Sequence, residues 1–194
     1  MPESPKQKLY CYVDETGQDT QGGLFLVALV VTDERRDALA AEAECIEERT
    51  GKGIAKWRKA SFARRVQYIK AVLSSPLFQD SLFFASYENT SAYLDLTILS
   101  IARAVLQKAG DADYKATIIV DGLRAPEVAH FAAALRQLRI GVRKVRGMKD
   151  ESNSLLRLAD AVCGFVRDYL EGQEYTKEFR WAFEQGILRK IETK

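Results

Sequence analysis

The sequence predicts a single α/β domain built on a mixed sheet of five strands flanked by helices. Three observations point there. Two strand-like runs near the start are separated by a short Gly-containing loop, strand and helix patterns then alternate, and no internal repeat or low-complexity tract interrupts them. An antiparallel opening pair followed by alternation requires both hairpin pairing and parallel crossovers. A length of 194 residues, 47% hydrophobic and 29% charged, suits one globular unit spanning 1–194. Its core is expected over 8–170, with a helical insertion over about 33–75 and a C-terminal helix over about 174–192.

Lys8 to Asp14 (KLYCYVD) is rich in Tyr and Val and stops at Asp-Glu-Thr-Gly, the pattern of a strand entering a turn. After Gln21-Gly22-Gly23, Leu24 to Thr32 is apolar throughout and predicts a buried antiparallel partner. Asp33 opens a helix whose apolar residues Leu39, Cys45 and Ile46 fall near helical spacing, and Gly51 closes it. Residues 52–75 predict a second helix, ended by Ser74-Ser75-Pro76. Ser81 to Tyr87 reads as a third strand, and Ser91 to Lys108 as a helix with Leu94, Ile98, Ile101 and Val105 on one face.

Tyr114 to Asp121 (YKATIIVD) has strong strand propensity and again stops at an acid, before Gly122. Pro126 suits the first turn of a helix over Glu127 to Leu138. Gly141 to Gly147 alternates as a fifth strand. Leu155 to Leu170 carries an apolar helical stripe capped by Ser154, and 174–192 reads as a last amphipathic helix. Its Phe179, Trp181, Phe183 and Ile187 could pack on the domain or on a second copy, so a homodimer is one expectation.

Scarce residues exclude much chemistry. A single histidine, His130, rules out HExxH and multi-histidine metal sites, and its helical setting reads as a partly buried surface position. Cys11, Cys45 and Cys163 are odd in number, widely spaced and set among apolar neighbours, so each reads as a small core residue. Neither GxxxxGK[ST] nor GxGxxG occurs. The longest apolar run, Leu24 to Val31, is too short for a membrane helix, and the polar start predicts a cytoplasmic chain. A net charge of +2 says nothing about partners.

Chemistry is concentrated in the acids. Asp14 and Asp121 both close hydrophobic strands, and ligands of open α/β sheets gather beyond strand ends. Asp160 sits inside an apolar helix with Gly164 one turn on, where a carboxylate is costly unless paired or cation-bound. If the three meet, their repulsion calls for a divalent ion, and an all-oxygen set suits Mg²⁺ or Mn²⁺. Two such ions could hold a scissile phosphate and generate the attacking hydroxide without any histidine. The competing reading is that Asp14 and Asp121 only terminate strands, while Asp160 pairs with Arg157 or Arg167.

Tyr12-Val13-Asp14-Glu15-Thr16-Gly17, Val120-Asp121 and Ser154-Leu155-Leu156-Arg157-Leu158-Ala159-Asp160-Ala161-Val162-Cys163-Gly164 resemble the family known as domain of unknown function 3800, with Lys56-Trp57 similar to a short lysine motif between them. The resemblance runs from about Leu9 to about Leu170, and Thr16 replaces the more usual Ser. It implies an RNase H-like fold and a metal-dependent nuclease with Asp14, Asp121 and Asp160 as catalytic metal ligands. Glu15, expected on the opposite strand face, is the weaker candidate. A fourth ligand stays open between Asp95, Glu88 and none. Asp150 and Glu151 read as solvated loop or first-turn acids.

Two basic runs hold no acid: Arg49, Lys52, Lys56, Arg58, Lys59, Arg64, Arg65 and Lys70, then Arg136, Arg139, Arg143, Lys144, Arg146 and Lys149. They mark candidate phosphate contacts, chiefly Lys56, Arg58, Lys59, Arg143, Lys144 and Arg146, while Trp57 and Tyr68 read as core anchors. The expected partner is therefore RNA or DNA, with no membrane. Two alternatives remain: a non-catalytic nucleic-acid or protein-binding module of the same fold, and a small-molecule phosphohydrolase using the same acids.

Overall fold

The computed structural model describes residues 6–18 and 23–192; Gln21 and Gly22 of the expected first loop lie outside them. Among the described residues, six strands form one sheet: β1 (Gln7–Thr16), β2 (Leu24–Thr32), β3 (Leu82–Glu88), β4 (Tyr114–Asp121), β5 (Val142–Met148) and β6 (Leu188–Lys190). Their order is β5-β4-β1-β2-β3-β6. β1–β2 and β2–β3 pair antiparallel, while β1–β4, β4–β5 and β3–β6 pair parallel. β1 runs two residues past Asp14 and β4 ends on Asp121; the two strands are interior neighbours, so their C-terminal ends open side by side.

Strand alternation divides the molecule into two cores. On one face Tyr12, Ala28, Val30 and Ile119 pack against α1 (Arg36–Arg49), α2 (Phe62–Ser74) and α5 (Ser154–Leu170). On the other, Cys11, Val13, Ile118 and Val120 pack against α3 (Tyr93–Ala109) and α4 (Ala125–Gln137). Asp14 continues the Tyr10–Tyr12 parity and Asp121 the Ile119 parity, so both stand on the α5 face. Glu15 has the opposite parity, as its sequence position implies.

Several elements differ from expectation. The sheet has six strands rather than five, because 174–192 is not one helix. A 3-10 segment (Glu174–Phe179) leads to a short α6 (Arg180–Glu184), then a turn and β6. Gly186, at φ +68, breaks the helix, and Ile191 N–H donates to the Phe84 carbonyl at 2.8 Å beside β3. Phe179 and Ala182 are buried in the α5-side core, and Phe183 stacks on Phe165 and Tyr169, so this segment packs on its own domain.

Residues 52–61 are not helical apart from a 3-10 turn at Trp57–Lys59, and α2 starts only at Phe62. α1 starts at Arg36 after a turn in which Asp33 accepts from Arg35 N–H. α5 is capped by Asn153, whose side-chain oxygen accepts from Leu155 and Leu156, rather than by Ser154. Cys11 and Cys163 are core residues, but Cys45 is exposed. His130 is exposed on the surface of α4. No helix among the described residues is long and apolar enough to cross a membrane.

Candidate active site

A cavity of about 280 Å³ opens at the C-terminal ends of β1 and β4, lined by Asp14, Glu15, Lys56, Asp121, Asp160 and Asp168 among others. Three separate elements supply its acids. β1 and β4 deliver Asp14 and Asp121 to one face, and α5, lying over β1 and β2, brings Asp160 and, two turns on, Asp168. The spacing of Asp160, Gly164 and Asp168 places all three on one side of α5. Glu15 also faces a second cavity of about 480 Å³ between α3 and α4, and shares both cavities with Asp121.

Asp14 makes no side-chain hydrogen bond or ion pair among the described residues. Burial pushes its carboxyl well above the usual range, and Asp160, Glu15 and Asp121 push it further. Burial, with Asp121 adding, raises Glu15 to about 7; one of its oxygens accepts weakly from Gln18 at 3.3 Å and the other is buried without a partner. Asp121 is raised mainly by burial, opposed by the Asp150 N–H on its Oδ1 at 2.9 Å. Asp160 is likewise raised by burial, opposed first by the Trp57 N–H on its Oδ2 at 2.8 Å and then by Lys52. Four carboxyl groups around one opening therefore all hold their protons more tightly than carboxyls in water.

The arginines that could have silenced Asp160 are engaged elsewhere. Arg157 forms a buried two-point pair with Glu47, at 2.8 and 2.7 Å. Arg167 binds Glu171 and the Thr16 hydroxyl. Lysine supplies the compensating charge instead. Lys56 Nζ lies 3.2 Å from Asp150 and 3.9 Å from Asp121, and although burial works against its charge, these acids hold it protonated above its ordinary range. Lys52 is buried over the Tyr68 ring, where burial lowers its proton affinity and Glu47 and Asp160 support it.

One residue sets this arrangement. Trp57 is buried at 2% exposure, its main chain holds Asp160, and its indole N–H donates to Asp168 at 3.2 Å. The ring sits where Gly164 leaves α5 bare: a Cβ there would come within 2.1 Å of the indole. Fixing Trp57 fixes Lys56 beside it. The tether also explains why 52–61 is not helical, since Lys56 and Ala60 must be extended to seat the ring.

Asp14, Asp121, Asp160 and Glu15 are thus brought to one cavity, with Lys56 and Arg58 on its rim. Lys59, Arg143, Lys144 and Arg146 are exposed outside it. Asp95 is exposed on α3 and Glu88 lines a different depression near Lys190, so neither joins the acids. Asp150, read as solvated, is instead 3% exposed and shares Lys56 with Asp121. Asp150 stands just past β5 (Val142–Met148), at the start of a 3-10 turn, where no strand-end pattern singles it out. Lys52, read as a surface cation, is buried, and Trp57 and Tyr68 are core anchors as expected.

The donor set is all oxygen, which suits Mg²⁺ or Mn²⁺, and the unpartnered Asp14 and the orphaned Glu15 oxygen fit a cation's demand. Among the described residues, no three His, Cys, Asp or Glu side chains converge closely enough, as placed, to enclose an ion.

No family model matches the sequence, and no curated protein does. Solved structures do match. RNase HII in its PCNA complex from Archaeoglobus fulgidus aligns with a TM-score of 0.53 at 15% identity, over 88% of this chain and 78% of that one. A point mutant of Bst-RNase HIII aligns with a TM-score of 0.54 at 14% identity, over 90% of this chain and 55% of that one. The chain has an RNase H-like fold. It spans about half the length of Bst-RNase HIII, which has also been solved in complex with Mn²⁺.

Proposed function

We propose that this chain is a Mg²⁺- or Mn²⁺-dependent nuclease of the domain of unknown function 3800 family, hydrolysing phosphodiester bonds of RNA or DNA. One observation supports the reading most: Asp14, Asp121 and Asp160, from β1, β4 and α5, line one solvent-open cavity, where burial and the neighbouring acids raise the proton affinity of Asp14 and the arginine ion pairs fall on Asp168, Glu47 and Glu171 instead. Asp14, Asp121 and Asp160 would hold the metal, with Glu15 behind them. Bound there, the metal supplies a hydroxide-like nucleophile and charge for the phosphate.

The chain's own groups do the rest. Trp57 N–H keeps one Asp160 oxygen occupied and so fixes which oxygen faces the cavity. Asp150 holds Lys56 at the rim, where its ammonium can meet a phosphate oxygen as the acids release it. Arg58 and Lys59 extend that positive rim, and Arg143, Lys144 and Arg146 lie on β5 beyond it as backbone contacts.

The test is metal-dependent cleavage of labelled RNA and DNA by wild type and by Asp14→Asn. The expected loss is at least about 100-fold, more than supporting residues around a metal cost; undiminished cleavage removes Asp14 from the mechanism. Lys56, already seated between Asp121 and Asp150, favours a second reading, a non-catalytic nucleic-acid or protein-binding module. That reading predicts salt-sensitive binding by wild type with no metal-dependent turnover.

A further inference from the structure

Strand register places a set of unpaired cations on the same sheet face as the carboxylates. Lys8 lies opposite Lys115. One row further, Tyr10 lies opposite Thr117, which lies opposite Lys144. In the next row Tyr12, Ile119 and Arg146 align. Val13 opposite Val120 then brings Asp14 and Asp121 level, with Met148 beside Asp121. Alternate residues share a face, and Tyr12 and Ile119 fix it as the α5 side.

Lys8, Lys115, Lys144 and Arg146 are all exposed, and none makes an ion pair among the described residues. Nearby acids are already engaged: Asp37 with Arg36 at 2.7 Å and Asp113 with Lys6 at 2.9 Å. α5 packs chiefly on β1 and β2 and only lightly on β4; Thr117 and Ile119 of β4 are buried all the same, and the open part of this face is β5, where Lys144 and Arg146 are exposed. Two further members of the second basic run, Arg136 and Arg139, are exposed on and just beyond the end of α4, which packs on the opposite face.

We propose that this face is the docking track for a nucleic-acid duplex, entering at Lys8 and Lys115 and reaching the cavity at Asp14 and Asp121. The end point rests on the nuclease reading; the track itself rests on register and charge. From Lys8 to Asp14 is six residues, about 20 Å at strand rise, or about six base pairs at 3.4 Å each. The rows offer cations but no stacking surface. Tyr12 is buried, and the ring of Tyr10 lies under the Arg36 guanidinium at 4.5 Å. Single strands are held by stacking on exposed aromatics, whereas a duplex presents its phosphates outward. This surface fits the duplex.

The experiment measures anisotropy of a labelled 16-base-pair duplex against salt concentration, in chelator, with the full chain. Lys144→Ala/Arg146→Ala is expected to flatten the slope of log Kd on log salt by about 2, close to one per lost phosphate contact. Lys8→Ala/Lys115→Ala is expected to do the same. A control that removes equal charge elsewhere, Lys177→Ala/Arg180→Ala, leaves the slope within about 0.5. An unchanged slope in both track variants overturns the proposal. So does tighter binding of the matching single strand, or binding of anionic vesicles without duplex binding. Because no cleavage is needed, the two readings fail separately. Duplex binding through these residues without metal-dependent cleavage leaves the track and removes the nuclease. Cleavage with unchanged slopes does the reverse.

Discussion

Glu15 has the clearest thermodynamic signature at the level of single residues. Burial and Asp121 lift its carboxyl from 4.5 to about 7, so the folded chain binds a proton that the unfolded chain has released. With more protons bound in the native state, stability falls as pH rises through 7 and is regained as pH falls towards 4.5. Asp14, Asp121 and Asp160 are shifted in the same direction and add to the slope. Glu15→Gln removes the ionisation, and the shift corresponds to roughly 3 kcal/mol. Denaturant unfolding in chelator should therefore find the variant about 1–3 kcal/mol more stable than wild type at pH 8, the two converging near pH 5. A variant less stable at pH 8 would show that the buried carboxylate is compensated in the native chain.

The α5 element and the Trp57 segment act as one part. In sequence, Gly164 one turn past Asp160 leaves room beside the carboxyl; in the structure that room is filled by an indole. Gly164→Ala would drive a methyl group into a ring held by Asp168 and by Phe165 at its edge. The ring cannot yield without releasing the Trp57 N–H from Asp160 and moving Lys56. The expected cost is about 1–3 kcal/mol, typical of an overpacked core, with loss of cleavage exceeding what the unfolded fraction explains. Thermal unfolding and turnover on the same preparation check it; a stable, fully active variant would detach Trp57 from the site.

This element also marks where sequence reading stops. Strand-end acids follow a local pattern, so Asp14 and Asp121 were legible. Asp160 was legible because a charge inside an apolar stripe stands out. The partners of Asp160 are 103 and more residues away or lie on other helices, and no local pattern encodes them. Asp150 was missed because it lies past the end of β5, at the start of a 3-10 turn, and its burial depends on Lys56 and Asp121, far away in sequence.

At the level of the whole molecule, the α/β class, the antiparallel opening pair and the interior position of β1 and β4 followed from alternation and propensity. β6 did not, because three residues paired to a distant edge strand carry no periodicity of their own. Phe179, Trp181, Phe183 and Ile187 imitate a helical stripe while packing through a 3-10 segment and a glycine turn. The topology brings two parallel strand ends and one helix face to a single opening and leaves Lys144 and Arg146 of β5 exposed on the same sheet face.

The proposal that the carboxylates at this opening bind a divalent ion is tested most directly by anomalous diffraction from crystals soaked in Mn²⁺. The expected result is an ion peak bounded by Asp14, Asp121 and Asp160, absent from Asp14→Asn crystals soaked alike. Ion density elsewhere with this cavity empty, or Lys56 still seated there in place of a metal, would contradict it.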